Sequence, residues 1–145
     1  MASPRVWLFG LLLCVALSGC ARFKKAKECG LVADAVSAWM KQDNQPTSPA
    51  SSDTAALVTD ARATAARYRA LDKTLSEITL VSEELTPLVS RYRKLALDSA
   101  RALDDVAEAL DKEDLERARK LRVDFDTTIR AEAPLVNEIN AVCRR

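Results

Sequence analysis

Histidine is absent from this 145-residue chain, and glycine occurs only three times. Without histidine, the sequence lacks the commonest general base and the usual Ser–His and Cys–His pairs of nucleophilic catalysis. No glycine-rich phosphate loop occurs, and no spacing singles out two carboxylates for acid–base work. The sequence therefore predicts a protein that is not an enzyme and uses no cofactor.

Aromatic residues are also scarce, at 5% of the chain. No long run of alternating apolar and polar residues predicts a sheet. Ala, Leu, Arg and Glu dominate, and these residues are strong helix formers. We therefore expect an all-α protein.

An unbroken apolar run covers residues 6–17, after Arg5 and before the small residues Ser18 and Gly19. A positive start, about 7–15 apolar residues and a small-residue cleavage zone describe a secretory signal. The alternative is a transmembrane helix, which needs about 20 apolar residues. Because the run stops before Arg22, the pattern favours the signal.

The four residues Leu17-Ser18-Gly19-Cys20 resemble the lipobox of bacterial lipoproteins. The resemblance implies that the Cys20 thiol receives a diacylglyceryl group, that cleavage occurs just before Cys20, and that the new amine is usually acylated. Ala21 stands where inner-membrane lipoproteins usually have Asp, so the resemblance implies the outer membrane if the source is Gram-negative. The alternative is an ordinary signal peptide with Cys20 as a plain thiol.

This reading divides the chain into a signal peptide (1–19), a basic membrane-proximal tether (20–28) and a helical bundle domain (29–145). Arg5 is the only charged residue in the signal, so the mature chain keeps equal numbers of basic and acidic residues. That balance argues against a nucleic-acid partner. The basic residues of the tether could each add about 1 kcal/mol of attraction to an anionic surface, or could simply keep the tether solvated: Arg22, Lys24, Lys25 and Lys27.

Two of the four cysteines are left for the domain itself. Cys14 would leave with the signal and Cys20 would carry lipid, so Cys29 and Cys143 can pair in only one way. Disulfides persist in exported proteins, and chain-entropy models give about 4–5 kcal/mol for a loop longer than 100 residues. The alternative is two buried free thiols. Two ligands without histidine do not predict a metal site.

Apolar periodicity predicts an antiparallel up-down-up-down bundle with one short and three long helices. The short helix covers residues 29–41, and the two prolines within 42–52 predict a loop. Ser52 or Asp53 is expected to cap the second helix. A heptad seam then continues through the second and third helices: Leu57, Ala61, Thr64, Tyr68, Leu71, Leu75, Ile78, Ser82, Leu85, Val89, Tyr92, Ala96, Ser99, Leu103, Val106 and Leu110.

Proline and acidic residues mark the ends of the long helices. Pro87 fits a first helical turn, which predicts a break between residues 80 and 87 with Thr86 as the N-cap. One continuous helix is the alternative. A tight turn at 111–114 is expected, with Asp111 capping the fourth helix. Pro134 should kink that fourth helix, because proline cannot donate a hydrogen bond to Arg130.

A repeated Arg-Tyr-Arg pattern supplies the one candidate ligand site. Arginine suits phosphate and carboxylate ligands, and a turn centred near residue 80 would bring the two segments to one level. We predict an anion or acidic-partner site at Arg67, Arg69, Arg91 and Arg93. The alternative is that the tyrosines fill the seam while the arginines pair with nearby acids in solvent.

Acidic residues cluster across residues 104–116. Calcium is conceivable, but the ligand spacing of a calcium loop is absent, so a solvated face is expected. Taken together, the sequence predicts an envelope lipoprotein that contacts the bilayer through acylated Cys20 and acts as a non-enzymatic binding or structural module. Its partner would be an unidentified envelope protein or anionic ligand. One alternative is a self-associating helical protein, and the other is an enzyme with an atypical carboxylate site.

Overall fold

The structure, a computed structural model, describes the backbone of residues 5–43 and 53–145 and the side chains of residues 22–41 and 53–145. Within these residues the chain forms five α-helices and no strand: α1 (Arg5–Asp43), α2 (Thr54–Ser76), α3 (Leu85–Asp111), α4 (Leu115–Arg130) and α5 (Glu132–Cys143). Because α4 and α5 are two pieces of one bent helix, the molecule is a four-helix bundle. The predicted all-α antiparallel bundle is confirmed.

The heptad seam of α2 and α3 forms the centre of the core. The side chains of Leu75, Leu85, Val89 and Tyr92 are at most 2% exposed. Alanines fill many of the remaining buried positions on these two helices, and small side chains let helix axes approach closely. Leu57 departs from the predicted seam: it is 44% exposed, and Val58 is buried instead.

The connection between α2 and α3 lies slightly earlier than expected. α2 ends at Ser76 and α3 begins at Leu85, so the helix is interrupted, and Pro87 occupies the first turn of α3 as predicted. The β-branched residues that follow Ser76 disfavour helix, which accounts for the earlier end.

The prediction that Thr86 caps α3 is wrong. The N-cap position is Glu84, whose side chain makes no capping hydrogen bond. Ser82 takes over this role, because its hydroxyl accepts a hydrogen bond from the Leu85 backbone N–H at 3.3 Å. Thr86 instead donates its hydroxyl to the Ser82 carbonyl oxygen.

A turn of three residues joins α3 to α4, close to the predicted place. The prediction that Asp111 caps the fourth helix is wrong, because Asp111 is still the last residue of α3. The cap is Asp114, whose carboxylate accepts a hydrogen bond from the Arg117 backbone N–H at 3.0 Å. Glu113 between them has a φ of 58°, a left-handed conformation that ends α3 abruptly.

Two other sequence predictions hold at helix ends. Asp53 caps α2, accepting a hydrogen bond from the Ala55 backbone N–H at 3.2 Å. The fourth helix bends between Arg130 and Glu132. Pro134, four residues after Arg130, has no N–H to donate to the Arg130 carbonyl oxygen.

α1 begins far upstream of the expected start at residue 29. Residues 20–28 contain neither proline nor glycine and consist mostly of Ala, Lys, Arg and Glu, so nothing there ends a helix. Of the described side chains of α1, those of Val32, Ala35, Val36 and Trp39 pack in or against the hydrophobic core. Residues 42 and 43 are helical, and the rest of the predicted loop, 44–52, lies outside the described residues.

Candidate functional site

The end of the bundle nearest Cys20 is closed by a disulfide between α1 and α5. Cys29 and Cys143 are bonded across a sequence separation of 114, with their Cα atoms 5.7 Å apart. This distance lies within the range that disulfides adopt, so the structure agrees with the predicted pair. The side chain of Cys20 and residues 1–4 of the predicted signal lie outside the described part of the chain.

Glu28, next to this disulfide, holds α1 against the α2–α3 loop. Its two carboxylate oxygens accept hydrogen bonds from the backbone N–H groups of Val81 and Ser82, both at 3.1 Å. Glu28 is only 6% exposed, and a buried carboxylate requires such donors. Sequence reasoning missed this contact. The sequence feature that could have indicated it is Glu28 itself, the single acid at the end of a basic segment.

A small charge cluster lies beside the same loop. The Lys25 ammonium donates to a Glu84 carboxylate oxygen at 3.1 Å, and Arg145 lies 4.0 Å from the other oxygen. The hydrogen bond from Lys25, its charge and the charge of Arg145 lower the pKa of Glu84 below its ordinary value. Lys25 and Glu28 thus both contact the bundle, and the boundary of the predicted tether at residue 28 stays a prediction.

The two tyrosines of the Arg-Tyr-Arg segments are core residues. Tyr68 packs against Trp39 and Phe125, with ring centroids 5.2 and 6.5 Å apart. Tyr92 is buried and donates its hydroxyl to Glu132 at 2.6 Å. Burial, and then the Glu132 carboxylate, raise the pKa of Tyr92 above its ordinary value. Both tyrosines therefore fill the seam.

The four arginines of these segments each have a partner within the bundle. Arg67 donates to Thr64, Arg69 to Asp104, Arg91 to Glu138 at 2.7 Å, and Arg93 to Asp72 at 2.8 Å. Three of the four partners are carboxylates on another helix. Three of these arginines therefore contact three different acids, and the role of the four as an anion site stays a prediction.

The two segments are also not level. Because Arg93 lies beside Asp72, Tyr92 lies opposite a part of α2 about one helical turn beyond Tyr68. An anion would have to bridge that offset and displace existing ion pairs in order to bind all four guanidinium groups.

Several acids of the 104–116 stretch lie in surface ion pairs: Asp104 with Arg69, Glu108 with Lys112, and Asp111 with Arg62. The hydrogen bond and charge of Lys112 lower the pKa of Glu108. Among the described residues, no group of three or more His, Cys, Asp or Glu side chains is placed to hold a metal ion. A solvated, salt-bridged face fits these contacts.

A solvent-open cleft that sequence reasoning did not identify lies between α2 and α4, with α3 as its floor. Its volume is about 400 Å³, and its apolar lining includes Leu57, Leu103, Val106, Leu110, Leu115 and Phe125. Asp60 of α2 and Arg119 and Arg122 of α4 also line it. We call it the α2–α4 slot. Leu57 and Leu115 are 44% and 52% exposed, which shows that the apolar lining is open to solvent.

No protein-family model, curated protein sequence or solved structure matches the chain. Among the described residues, no helix has the combination of length and apolar character needed to cross a bilayer.

Proposed function

We propose that this chain is an exported lipoprotein, anchored through acylated Cys20, whose bundle acts as a non-enzymatic binding or structural module at the cell envelope. The observation that carries the proposal is the Cys29–Cys143 bond, because disulfides persist in oxidising compartments outside the cytoplasm. The lipobox-like residues 17–20 support the same location. If the source is Gram-negative, the membrane proposed is the outer membrane.

The arrangement at the disulfide end supports a membrane-facing role for it. Cys20 precedes Cys29 by nine residues of α1, which corresponds to about 14 Å of helix. Lipid on Cys20 would therefore hold this end near the bilayer. Five exposed basic residues lie at this end of the bundle: Arg22, Lys24, Lys27, Arg144 and Arg145. They would face anionic head groups, and each would contribute about 1 kcal/mol of attraction.

The same arrangement would direct the α3–α4 turn away from the membrane. The bundle is antiparallel, so this turn lies at the end opposite the disulfide. A module anchored in this way presents its far half, including the α2–α4 slot, to other envelope components.

An enzyme with an atypical carboxylate site gains no support from the described side chains. Such a site would need acids in a deep pocket with perturbed pKa values. The carboxylates whose pKa is shifted, Glu84 and Glu108, are exposed and lie beside lysines. Surface pairs of this kind are ordinary structural features.

Self-association is the second candidate, because α1 presents a row of exposed residues at heptad spacing: Phe23, Ala26, Gly30, Ala33, Ser37 and Met40. Phe23 is 75% exposed and Met40 is 48% exposed. A second copy of α1 would bury this row. Sedimentation velocity of the full chain in detergent tests this candidate. The average mass of the particles should rise with protein concentration, and Ala33→Glu should lower it. A mass that stays at the monomer value would rule out self-association.

Membrane fractionation of bacteria that express the full chain tests the anchor. We expect Cys20→Ala to abolish incorporation of labelled palmitate and to leave an uncleaved precursor. Cys14→Ala is the matched control, since it replaces the other cysteine of this region without touching the lipobox-like residues. Equal labelling of the wild type and Cys20→Ala, or no labelling of either, would contradict the proposal.

A further inference from the structure

We propose that the α2–α4 slot binds one amphipathic helix of a partner protein, with an acidic side chain of that helix facing Arg119 and Arg122. This inference deepens the proposed binding role, and it does not depend on lipid at Cys20.

Among the described residues, no helix lies in the slot, which continues the position that α1 takes beside α2 and α5 nearer the disulfide. In the half nearest the disulfide, α1 packs between α2 and α5. Trp39, near the end of α1, contacts Tyr68, and Tyr68 contacts Phe125. Phe125 in turn lines the slot, so the slot begins beside the last part of α1 whose side chains the structure describes.

The occupant is inferred to be a helix because of how the slot is lined. Most of its surface is apolar, so it offers few partners for the backbone N–H and C=O groups of an extended peptide. A helix satisfies those groups internally. A small apolar ligand would normally have most of its surface enclosed, whereas Leu57 and Leu115 are about half exposed. An open apolar channel suits one face of a helix.

The dimensions define how much of a partner helix would be engaged. Leu115 and Phe125 are ten residues apart on α4, which corresponds to about 15 Å. A partner segment of about ten residues, or three turns, would cover this length. Its apolar side chains at i, i+3, i+4 and i+7 would enter the slot, as in other helix-in-groove complexes.

The charges on the two walls differ in sign and specify the flanks of the partner helix. Within the described side chains, neither Arg119 on α4 nor Asp60 on α2 has an ion-pair partner within 4 Å. Arg122 lies 3.2 Å from Asp126 and 5.7 Å from the centroid of the Phe125 ring, so its guanidinium is held at the rim. A helix with acids on the side facing α4 and bases on the side facing α2 would be complementary to both walls.

Two synthetic helical peptides of fourteen residues provide the probe. Both carry the same leucine stripe. In the first, glutamates flank one side of the stripe and lysines the other, so that they match the walls when the helix lies antiparallel to α4. In the second, the glutamates and lysines are exchanged. Binding to the full chain in detergent is measured by fluorescence anisotropy and mapped by cross-linking, with circular dichroism to confirm the fold of each variant.

We expect the first peptide to bind at the slot and to lose at least tenfold in affinity when Arg119 is replaced by Glu. The exchanged peptide should gain affinity for the same variant. Arg117→Glu is the matched control, because Arg117 is an exposed arginine of α4 outside the slot, and it should change neither affinity. Leu115→Lys should weaken binding, whereas Val123→Lys, at another exposed apolar residue of α4, should not.

Several results would overturn the inference. These are binding of neither peptide, equal changes for Arg119→Glu and Arg117→Glu, cross-links outside the slot, or displacement of the peptide by palmitate with the fatty acid bound in its place. Repeating the measurement with Cys20→Ala separates the two proposals. Unchanged peptide binding by that variant supports the slot even if the lipid anchor is disproved.

Discussion

Replacing Glu28 by Gln tests how α1 is held against the α2–α3 loop. Both carboxylate oxygens accept backbone hydrogen bonds at 3.1 Å, and the residue is 6% exposed. Gln keeps the volume but offers a single acceptor oxygen, so one backbone N–H would face the amide NH₂ group, which is itself a donor. Since a hydrogen bond to a charged group contributes about 1.5–3 kcal/mol, the free energy of unfolding should fall by about that amount.

Urea unfolding followed by circular dichroism, with the disulfide intact, measures this change. The midpoint should fall while the slope of the transition stays the same. Asp34→Asn is the matched control: Asp34 is an exposed carboxylate on the same helix, and its replacement should alter stability by less than about 0.5 kcal/mol. The reasoning is refuted if the unfolding free energy of the Glu28 variant falls by less than about 0.5 kcal/mol, or if it falls equally in both variants.

Three further predictions concern the disulfide, Tyr92 and Glu84. Reducing the Cys29–Cys143 bond, which closes a separation of 114 residues, should lower the unfolding free energy by about 5 kcal/mol; a loss below about 1 kcal/mol in urea unfolding would contradict this. Because the pKa of Tyr92 is raised in the fold, its contribution to stability is lost as the pH rises above about 10, by about 1.4 kcal/mol per pH unit. In a plot of the unfolding free energy against pH, Tyr92→Phe should remove this contribution to the slope above pH 10. An unchanged slope would contradict the prediction. In an NMR titration, Lys25→Ala should raise the pKa of Glu84 toward its ordinary value, and no change would exclude their pairing.

The core was predictable because it depends on periodicity alone. A heptad pattern specifies which face of a helix is buried, whatever that face packs against. The bend near Pro134 and the Asp53 cap were predictable for a similar reason, since each depends on the chemistry of one residue and its near neighbours.

The errors lie where a helix end depends on tertiary packing. Asp111 and Asp114 are both acceptable caps by residue type, and the choice depends on how far α3 continues. The role of Glu28 depends on where the backbone N–H groups of the α2–α3 loop point. That direction is determined by the complete fold and leaves no pattern in the sequence.

The α2–α4 slot illustrates the same limit. Among the described residues, the ring contacts of α1 reach Tyr68 through Trp39, while α2 and α4 line the slot beyond that point. The sequence contains each of these helices, but only the relative positions of the helices show that an apolar surface is left open. Leu57 was expected in the buried seam, and its exposure, like that of Leu115, is the sign of this open apolar surface.

Intact-mass spectrometry of the protein purified from the membranes of its native cell tests anchored export most directly. We predict a chain that starts at Cys20, carries fatty acyl groups on that residue, and gains two hydrogen atoms when the Cys29–Cys143 bond is reduced. A chain that retains Met1, or one that starts at Cys20 without attached fatty acids, would contradict the proposed anchor.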